Sequence, residues 1–325
     1  MKSPLPPAPQ PAVVLATLLP LLIGTVCGST DAPTTAPPPS PTPAAETPAS
    51  PNREPLVIRN ARALWEQGKL PAPRKLQEWL QSPSAEPLRL PPRSTTPLST
   101  REIAKRASTA YLRVGWVFQC TKCSNWHTNL AGGYAIAPNA VATAHHVLTR
   151  PERMRDDSGY LIVVKGDHEV LSVSGVLGAD ATADAALLRV ETAQLHPLPL
   201  TEEVEVGDPV FCLSEPSGER PYFSAGIVNR FARDADVKKN TPRAHRINVS
   251  TDWAPGSSGS AVLDACGNAI GHVGSISSLG NHPKGNEKPA HYMTLHWAIP
   301  AKHVLELART PATRAETATT SDPAR

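Results

Sequence analysis

Hydrophobic and polar positions change rhythm along this chain. Over residues 58–68 and 73–81, apolar residues recur at helical spacing, around Leu64 and Trp65 and then around Leu76, Trp79 and Leu80. Each stretch ends on Pro or Gly signals, so two short amphipathic helices are predicted. They are either a pair of helices packed on the main domain or a pro-segment or docking arm. Ser99-Thr-Arg-Glu102 has the spacing of a capping box, and Ile103, Ala104, Ala107 and Tyr111 follow at helical intervals, so a third short helix opens the next segment. Beyond it the period shortens. Runs rich in β-branched and aromatic residues, separated by Gly, Pro, Asn and Asp, cover 112–118, 133–137, 140–144, 160–164, 169–177, 186–190, 209–213, 224–231, 246–250, 260–263, 269–276 and 292–299. Twelve short strands with few long helices between them predict an all-β barrel or sandwich rather than alternating β/α units.

Composition divides the same chain. Of its 36 prolines, 22 fall in the first 100 of 325 residues, so the front third is not expected to form a compact core. Lys2 followed by an apolar stretch at 12–26, broken by Pro20, is signal-peptide grammar and too short to span a bilayer as a helix. Cleavage is expected after Gly28. Cys27 raises lipidation, which Val26 directly before it disfavours. The resulting plan is a signal peptide at 1–28, a disordered Pro/Thr/Ala-rich linker at 29–56, short helices and a Pro-rich segment at 57–98, a globular domain at 99–309 and a disordered tail at 310–325. The chain is therefore expected to be exported to the periplasm, cell envelope or medium. A membrane becomes a partner only if the signal segment is kept as an anchor. With 32 basic and 29 acidic residues and no long basic run, nucleic acid is not an expected partner.

Three segments carry chemistry. Ala142-Thr-Ala-His-His-Val147 ends a strand on a His pair. Asp180-Ala-Thr-Ala-Asp-Ala-Ala-Leu-Leu188 places an acid directly before a buried strand. Asp252-Trp-Ala-Pro-Gly-Ser-Ser-Gly-Ser-Ala-Val262 sets a serine between glycines at a turn. Alone, each reads as a structural His, a cap or a loop. Together they supply a nucleophile, a base to take its proton and an acid to fix the tautomer of that base, with a Gly-rich turn able to aim two N–H groups at a developing oxyanion.

These residues resemble the trypsin-like serine peptidases, and more closely their HtrA/Deg branch. Thr143-Ala-His-His-Val147 is similar to that family's Thr-Ala-Ala-His-Cys or Thr-Asn-x-His-Val, which selects His146 as base and leaves His145 as its neighbour. Asp184-Ala-Ala-Leu-Leu188 resembles Asp-Leu-Ala-Leu-Leu, and Pro255-Gly-Ser-Ser-Gly-Ser260 resembles Pro-Gly-Asn-Ser-Gly-Gly. Outside the triad, Val206-Gly-Asp-Pro-Val-Phe211, Glu215-Pro-Ser-Gly218, Ser224-Ala-Gly-Ile-Val228 and Trp297-Ala-Ile-Pro300 also match. The departures are Ser257 before the nucleophile, Ser260 after it, and a specificity loop shortened before Ser258. Too little chain follows Ile299 for the PDZ domain usual in that branch.

The resemblance implies two six-stranded antiparallel β-barrels, about 108–195 and 196–300, with short N- and C-terminal helices. It implies a serine endopeptidase acting on a polypeptide substrate through an acyl-enzyme and without a cofactor. Catalysis would fall to His146, Asp184 and Ser258, with Gly256 and Ser258 forming the oxyanion hole and Gly274, Ser275 and Ile276 binding substrate. The rival readings are a catalytically impaired homologue that binds extended peptides and an envelope scaffold or tether. Asp252 lies six residues before Ser258, the spacing that selects Lys or Arg in trypsin, but Deg-type loops rearrange here and no preference is assigned. The polar loop 280–291 is expected to hang over the pocket.

Four cysteines follow the signal segment, an even number in an exported chain. The resemblance implies a disulfide between Cys212 and Cys266. Cys120-Thr-Lys-Cys123 with His127 leaves disulfide, free thiols, metal binding and redox exchange open. Two cysteines and one histidine do not close a tetrahedron, so no metal site is assigned. His282, His291, His296 and His303 read as solvated loop histidines, and Asp234, Asp236, Lys238 and Lys239 as a surface loop.

Overall fold

The computed structural model describes residues 55–84, 87–123, 125–191, 194–236, 241–280 and 291–309. The expected signal segment, most of the linker and the tail lie outside them, as do most of loop 280–291 and the two lysines at 238 and 239. Among the described residues no helix is long and apolar enough to cross a membrane.

Each of the twelve predicted runs falls on an observed strand. Six form a closed antiparallel barrel: β1 (Tyr111–Cys120), β2 (Trp126–Ala137), β3 (Ala140–Thr143), β4 (Met154–Lys165), β5 (Glu169–Asp180) and β6 (Ala185–Val190), in the order β1-β2-β3-β6-β5-β4. The other six close a second barrel: β7 (Pro209–Ser214), β8 (Tyr222–Asp236), β9 (Thr241–Val249), β10 (Ala261–Leu263), β11 (Ala269–Gly280) and β12 (His291–Pro300), ordered β10-β11-β12-β9-β8-β7. Closure removes the unpaired edges that short strands would otherwise expose. Asp234 and Asp236 belong to β8 rather than to a loop, because the β8–β9 hairpin stays paired out to Asp236 and Thr241.

Four helices complete the chain. Helices α1 (Leu56–Glu66) and α2 (Pro73–Gln81) are too short to persist alone in water, so packing holds them. Val57, Ile58 and Ala61 of α1 sit with Val117, Tyr160, Ile162 and Val164 on the outside of barrel one. Leu76 of α2 joins a core containing Trp116, Leu161 and Leu171. Hydrogen bonds from Asn60 Nδ2 to the His168 carbonyl (2.8 Å) and from Ser172 Oγ to the Lys69 carbonyl (2.6 Å) pin the pair. The segment packs on the main domain.

After α2 the chain runs along barrel two. Asn268 exchanges two hydrogen bonds with the backbone of Ser94 (2.8 and 2.9 Å), and the Leu98 N–H reaches the Ala265 carbonyl (2.9 Å). Helix α3 (Thr100–Ala110) then starts on the predicted capping box: Ser99 Oγ accepts from the Glu102 N–H while Glu102 Oε2 accepts from the Ser99 N–H. Its Ile103, Ala107 and Ala110 enter a cluster shared with Tyr134 and Leu187 of barrel one, Leu213 and Leu263 of barrel two, and Ala301 and Val304 of α4 (Ala301–Ala308). The seam between the barrels is thus closed by a helix at each end of the fold. Ile103 is 1% exposed and Leu56 43%. Ile103→Ala is expected to cost about 2–5 kcal/mol of stability, and Leu56→Ala within about 0.5 kcal/mol, read from urea midpoints. Equal losses would mean that α3 is not part of the core.

Candidate active site

The cleft residues come from three segments that tight turns bring to the seam. β3 is buried at all four positions and hands over to a short 3₁₀ turn, His145–Leu148, in which the Val147 N–H bonds the Ala144 carbonyl at 3.2 Å. That turn points His146 outward. Its Nδ1 lies 2.9 and 3.1 Å from the two carboxylate oxygens of Asp184, and its backbone N–H donates to Asp184 Oδ1 at 2.9 Å. A carboxylate only accepts, so Nδ1 carries the proton and Nε2 keeps its lone pair. His145, the alternative base, does not share this contact.

Asp184 reaches this position through an unusual backbone. Its φ is +62°, a left-handed conformation that aspartate tolerates better than most residues. The turn before it is braced by Asp180, whose Oδ1 accepts the N–H groups of Thr182 (2.8 Å) and Ala183 (2.9 Å). Burial pushes the Asp184 carboxyl upward, but the hydrogen bonds and charge of His146, aided by His272, outweigh it, so the group titrates below its ordinary range.

The nucleophile candidate stands on the third segment. The Ser258 carbonyl accepts the Gly132 N–H at 2.7 Å, and the Gly132 carbonyl accepts Thr143 Oγ1 at 2.8 Å. A Cβ on Gly259 would press on Thr143 and on Ala144 N, so the glycine lets this loop lie directly against the strand that ends in the His pair. Among the described residues, no hydrogen bond joins Ser258 Oγ to His146. Apo sites commonly hold this contact long and tighten it when substrate binds.

Backbone donors of the turn can be accounted for one by one. The N–H groups of Ser257, Gly259 and Ser260 bond the carbonyls of Ala254, Val273 and Ser257 at 3.1, 2.8 and 3.0 Å. Those of Gly256 and Ser258 donate to no acceptor among the described residues. Gly256 has φ +100°, which side-chain-bearing residues rarely adopt. The two serine departures from the family pattern are each given room locally. Ser257 is fully buried with its hydroxyl on Ser214 Oγ (3.1 Å), and Ser260 fits because the facing residue is Gly132, where a Cβ would collide with the Ser260 hydroxyl.

Of the expected substrate residues, Gly274 is buried against Ile299, whereas Ser275 and Ile276 are exposed. β11 pairs β10 as far as His272 and pairs β12 from Gly271 onward, so among the described residues no strand pairs the other edge of its 274–276 stretch, next to the Gly259 contact with Val273. Trp253 Nε1 donates to the Ser275 carbonyl at 3.3 Å. Asp252 is exposed.

The cysteine and histidine expectations fare differently. Cys212 and Cys266 are separate thiols and do not form the implied disulfide. Cys212 lies inside barrel two, where burial pushes its thiol up to about 12, while Cys266 sits in the partly exposed β10–β11 turn. His296 is not a loop residue: it is a buried member of β12, edge-on to Trp253 with ring centroids 5.1 Å apart. His303 lies on α4 beside Glu306 (3.3 Å). His291 is exposed, bonded to Ser278 and Thr294, and His282 lies outside the described residues.

Two features escaped the sequence. Arg113 and Glu215 face each other at 3.8 Å in the cleft wall beside Gly256, and burial raises the Glu215 carboxyl against the pull of Arg113 and Arg220. The other is His272, fully buried on β11, whose Nε2 lies 3.1 Å from the Asp184 carbonyl and therefore donates to it. The one titratable residue within the largely apolar run 269–276 was the available signal. Burial lowers His272 to about 4.

The comparisons with known proteins bear on this geometry. A profile of the trypsin-like peptidase domain matches residues 131–271, the stretch from β2 to β11 that holds all three cleft segments. This stretch is similar to trypsin-like peptidases, and the relatives that follow are of the HtrA type. It is 28% identical over 184 residues to a probable periplasmic DegP-like serine endoprotease of Ectopseudomonas mendocina, covering 55% of this chain and 34% of that one. It is 30% identical over 112 residues to the serine protease PepD of Mycobacterium tuberculosis, covering 32% and 24%. The chain thus spans a quarter to a third of the length of these curated relatives. The HtrA-type protease AlgW, solved with a decapeptide, shares the fold at a TM-score of 0.50 and 19% identity, over 67% of this chain and 68% of that one.

His272 ties stability to pH. An unfolded histidine takes up a proton below about pH 6.5, but the folded one stays neutral to about pH 4, so acid between these limits favours the unfolded chain. Asp184 acts in the same sense lower down: its contribution is complete above the unfolded value near 4 and is lost as pH falls through its depressed folded value. Replacing His272 by Leu is expected to flatten the loss of stability between about pH 6.5 and 4, followed by urea unfolding at several pH values. A slope matching that of the unmodified protein would refute this.

Proposed function

We propose that this protein is an exported serine endopeptidase that cleaves polypeptides through an acyl-enzyme. The observation that carries the reading is the contact of Asp184 with His146, through both the ring Nδ1 and the backbone N–H. It fixes the tautomer and leaves Nε2 free to act as a base. Ser258 Oγ attacks the scissile carbonyl as its proton passes to His146 Nε2, and the imidazolium is stabilised by Asp184. Negative charge on the carbonyl oxygen is met by the unused N–H groups of Gly256 and Ser258, a donor of this kind lowering a barrier by about 3 kcal/mol. The tetrahedral adduct collapses, the leaving amine takes the proton from His146, and water resolves the acyl-enzyme by the same steps in reverse order.

Substrate recognition follows from the unpaired edge of β11. An extended peptide adding to Gly274, Ser275 and Ile276 would hydrogen-bond through its main chain and present one side chain to the wall formed by Gly274 and Ser275. Export is supported by the apolar stretch at 12–26 and by the periplasmic naming of the E. mendocina relative.

A fluorophosphonate probe tests the chemistry directly. Covalent label is expected on Ser258 and absent from Ser258→Ala. Asp184→Asn should slow labelling by about 10⁴-fold, as expected when the wrong tautomer is favoured. Folded protein that resists the probe and still binds extended peptides would replace this reading by a peptide-binding homologue.

A further inference from the structure

The β1–β2 hairpin ends in a cluster that the cleft chemistry does not use. Cys120 closes β1, Cys123 stands on the turn, and His127 is the second residue of β2, directly across from Phe118. The turn is fixed by the Cys120 N–H to the Asn125 carbonyl and by the Thr121 N–H to the Arg153 carbonyl, both 2.9 Å. Within it, Cys123 Sγ and His127 Nε2 are 3.0 Å apart, and the three donor atoms of Cys120, Cys123 and His127 all lie within 4.8 Å of one another.

We infer that Cys120, Cys123 and His127 form a binding site for a thiophilic divalent cation, with Zn²⁺ as its reference ligand. Zinc bonds of about 2.3 Å to sulfur and 2.0–2.1 Å to nitrogen place tetrahedral ligand atoms roughly 3.5–3.8 Å apart. The Cys123–His127 separation of 3.0 Å is slightly shorter than that value, and all three donor atoms lie within 4.8 Å of one another. Cys123 and His127 are exposed, so side-chain rotation alone can close the difference, whereas buried Cys120 supplies a fixed ligand. Second-sphere support is already built: the Lys122 N–H points at Cys120 Sγ at 3.4 Å, as backbone donors do toward metal-bound thiolates. The His127 ring lies against Phe118, 6.0 Å between centroids, which limits how it can turn. With two sulfurs, one imidazole and no carboxylate, the donor set selects against Mg²⁺ and Ca²⁺. Three protein ligands leave a fourth position for water or an added ligand.

Binding releases the two thiol protons and involves no change of oxidation state. The site is separate from the cleft. Five residue steps along β2, roughly 16 Å, separate His127 from Gly132, the residue whose N–H holds the Ser258 carbonyl.

The test uses the full chain, purified with a phosphine reductant under nitrogen. Titration with Zn²⁺ against a chromophoric chelator should show one tight site per chain. Co²⁺ in its place should give a sulfur-to-cobalt charge-transfer band and the intense visible absorption of tetrahedral cobalt. Cys123→Ser and His127→Ala, both at exposed positions, should each weaken binding by more than about tenfold, since losing even a supporting partner costs 10–100-fold. Cys266→Ser should not. Circular dichroism of each variant checks the fold. Zinc uptake no greater than that of a Cys120→Ser/Cys123→Ser double variant would overturn the inference. So would a Cys120–Cys123 disulfide in the isolated protein that, once reduced, still ignores both metals.

Discussion

The cleft exists because two closed barrels meet along one seam, and Asp184 is where the seam is tied. Its carboxylate holds the histidine of barrel one, while its carbonyl accepts from His272 of barrel two. Both contacts are made from a left-handed backbone at this position, φ +62°. Such conformations persist only where their surroundings over-determine them. Here the Asp180 turn braces the approach from behind, and the buried Arg246 of β9 reaches the Ala183 carbonyl at 3.4 Å from the partner barrel. Strain of order 1–3 kcal/mol is offset by these contacts and preorganises the imidazole.

The same seam explains why helices stand where they do. A barrel of short strands fills its own interior but leaves an apolar outer patch where its neighbour docks. α3 and α4 cap that patch from opposite ends of the sequence, so the shared cluster draws on residues as far apart as Ile103 and Val304. The proline-rich run before α3 forms few regular backbone hydrogen bonds, and side chains such as Asn268 supply them instead. A segment with little core of its own is thereby registered against barrel two.

Legibility in the sequence followed from how local each signal is. Strand period, the capping box and the Asp180 turn are written in neighbouring residues, and the structure reproduces them with strand ends extended by a few residues. β8 ran longer than its apolar run because pairing with β9, not composition, sets its end. The meeting of His146 with Asp184 was legible only through resemblance, since nothing within either segment says what lies across the seam. His272 was missed and His296 misjudged for the same reason: their burial is decided by strands distant in sequence, and for His296 polarity alone suggested solvent. The absent Cys212–Cys266 bridge shows the opposite error, a family habit carried onto positions whose environments differ.

The departures around Ser258 argue that the turn accommodates exchange where its backbone donors are kept. Serine replaces the expected neighbour on both sides of Ser258, yet neither hydroxyl intrudes on Gly256 or Ser258. One is turned inward to Ser214, and the other occupies space that Gly132 leaves empty. What cannot be exchanged is the backbone: positive φ at both Gly256 and Gly259 bends the chain so that alternate N–H groups are committed to carbonyls and the remaining two stay unpaired. An unpaired pair of donors in a folded turn costs little while water reaches them, and becomes valuable once a bound carbonyl displaces that water and begins to carry charge. The site's geometry is therefore set by two glycine dihedrals and one aspartate, and the side chains around them are free to vary as long as they fit.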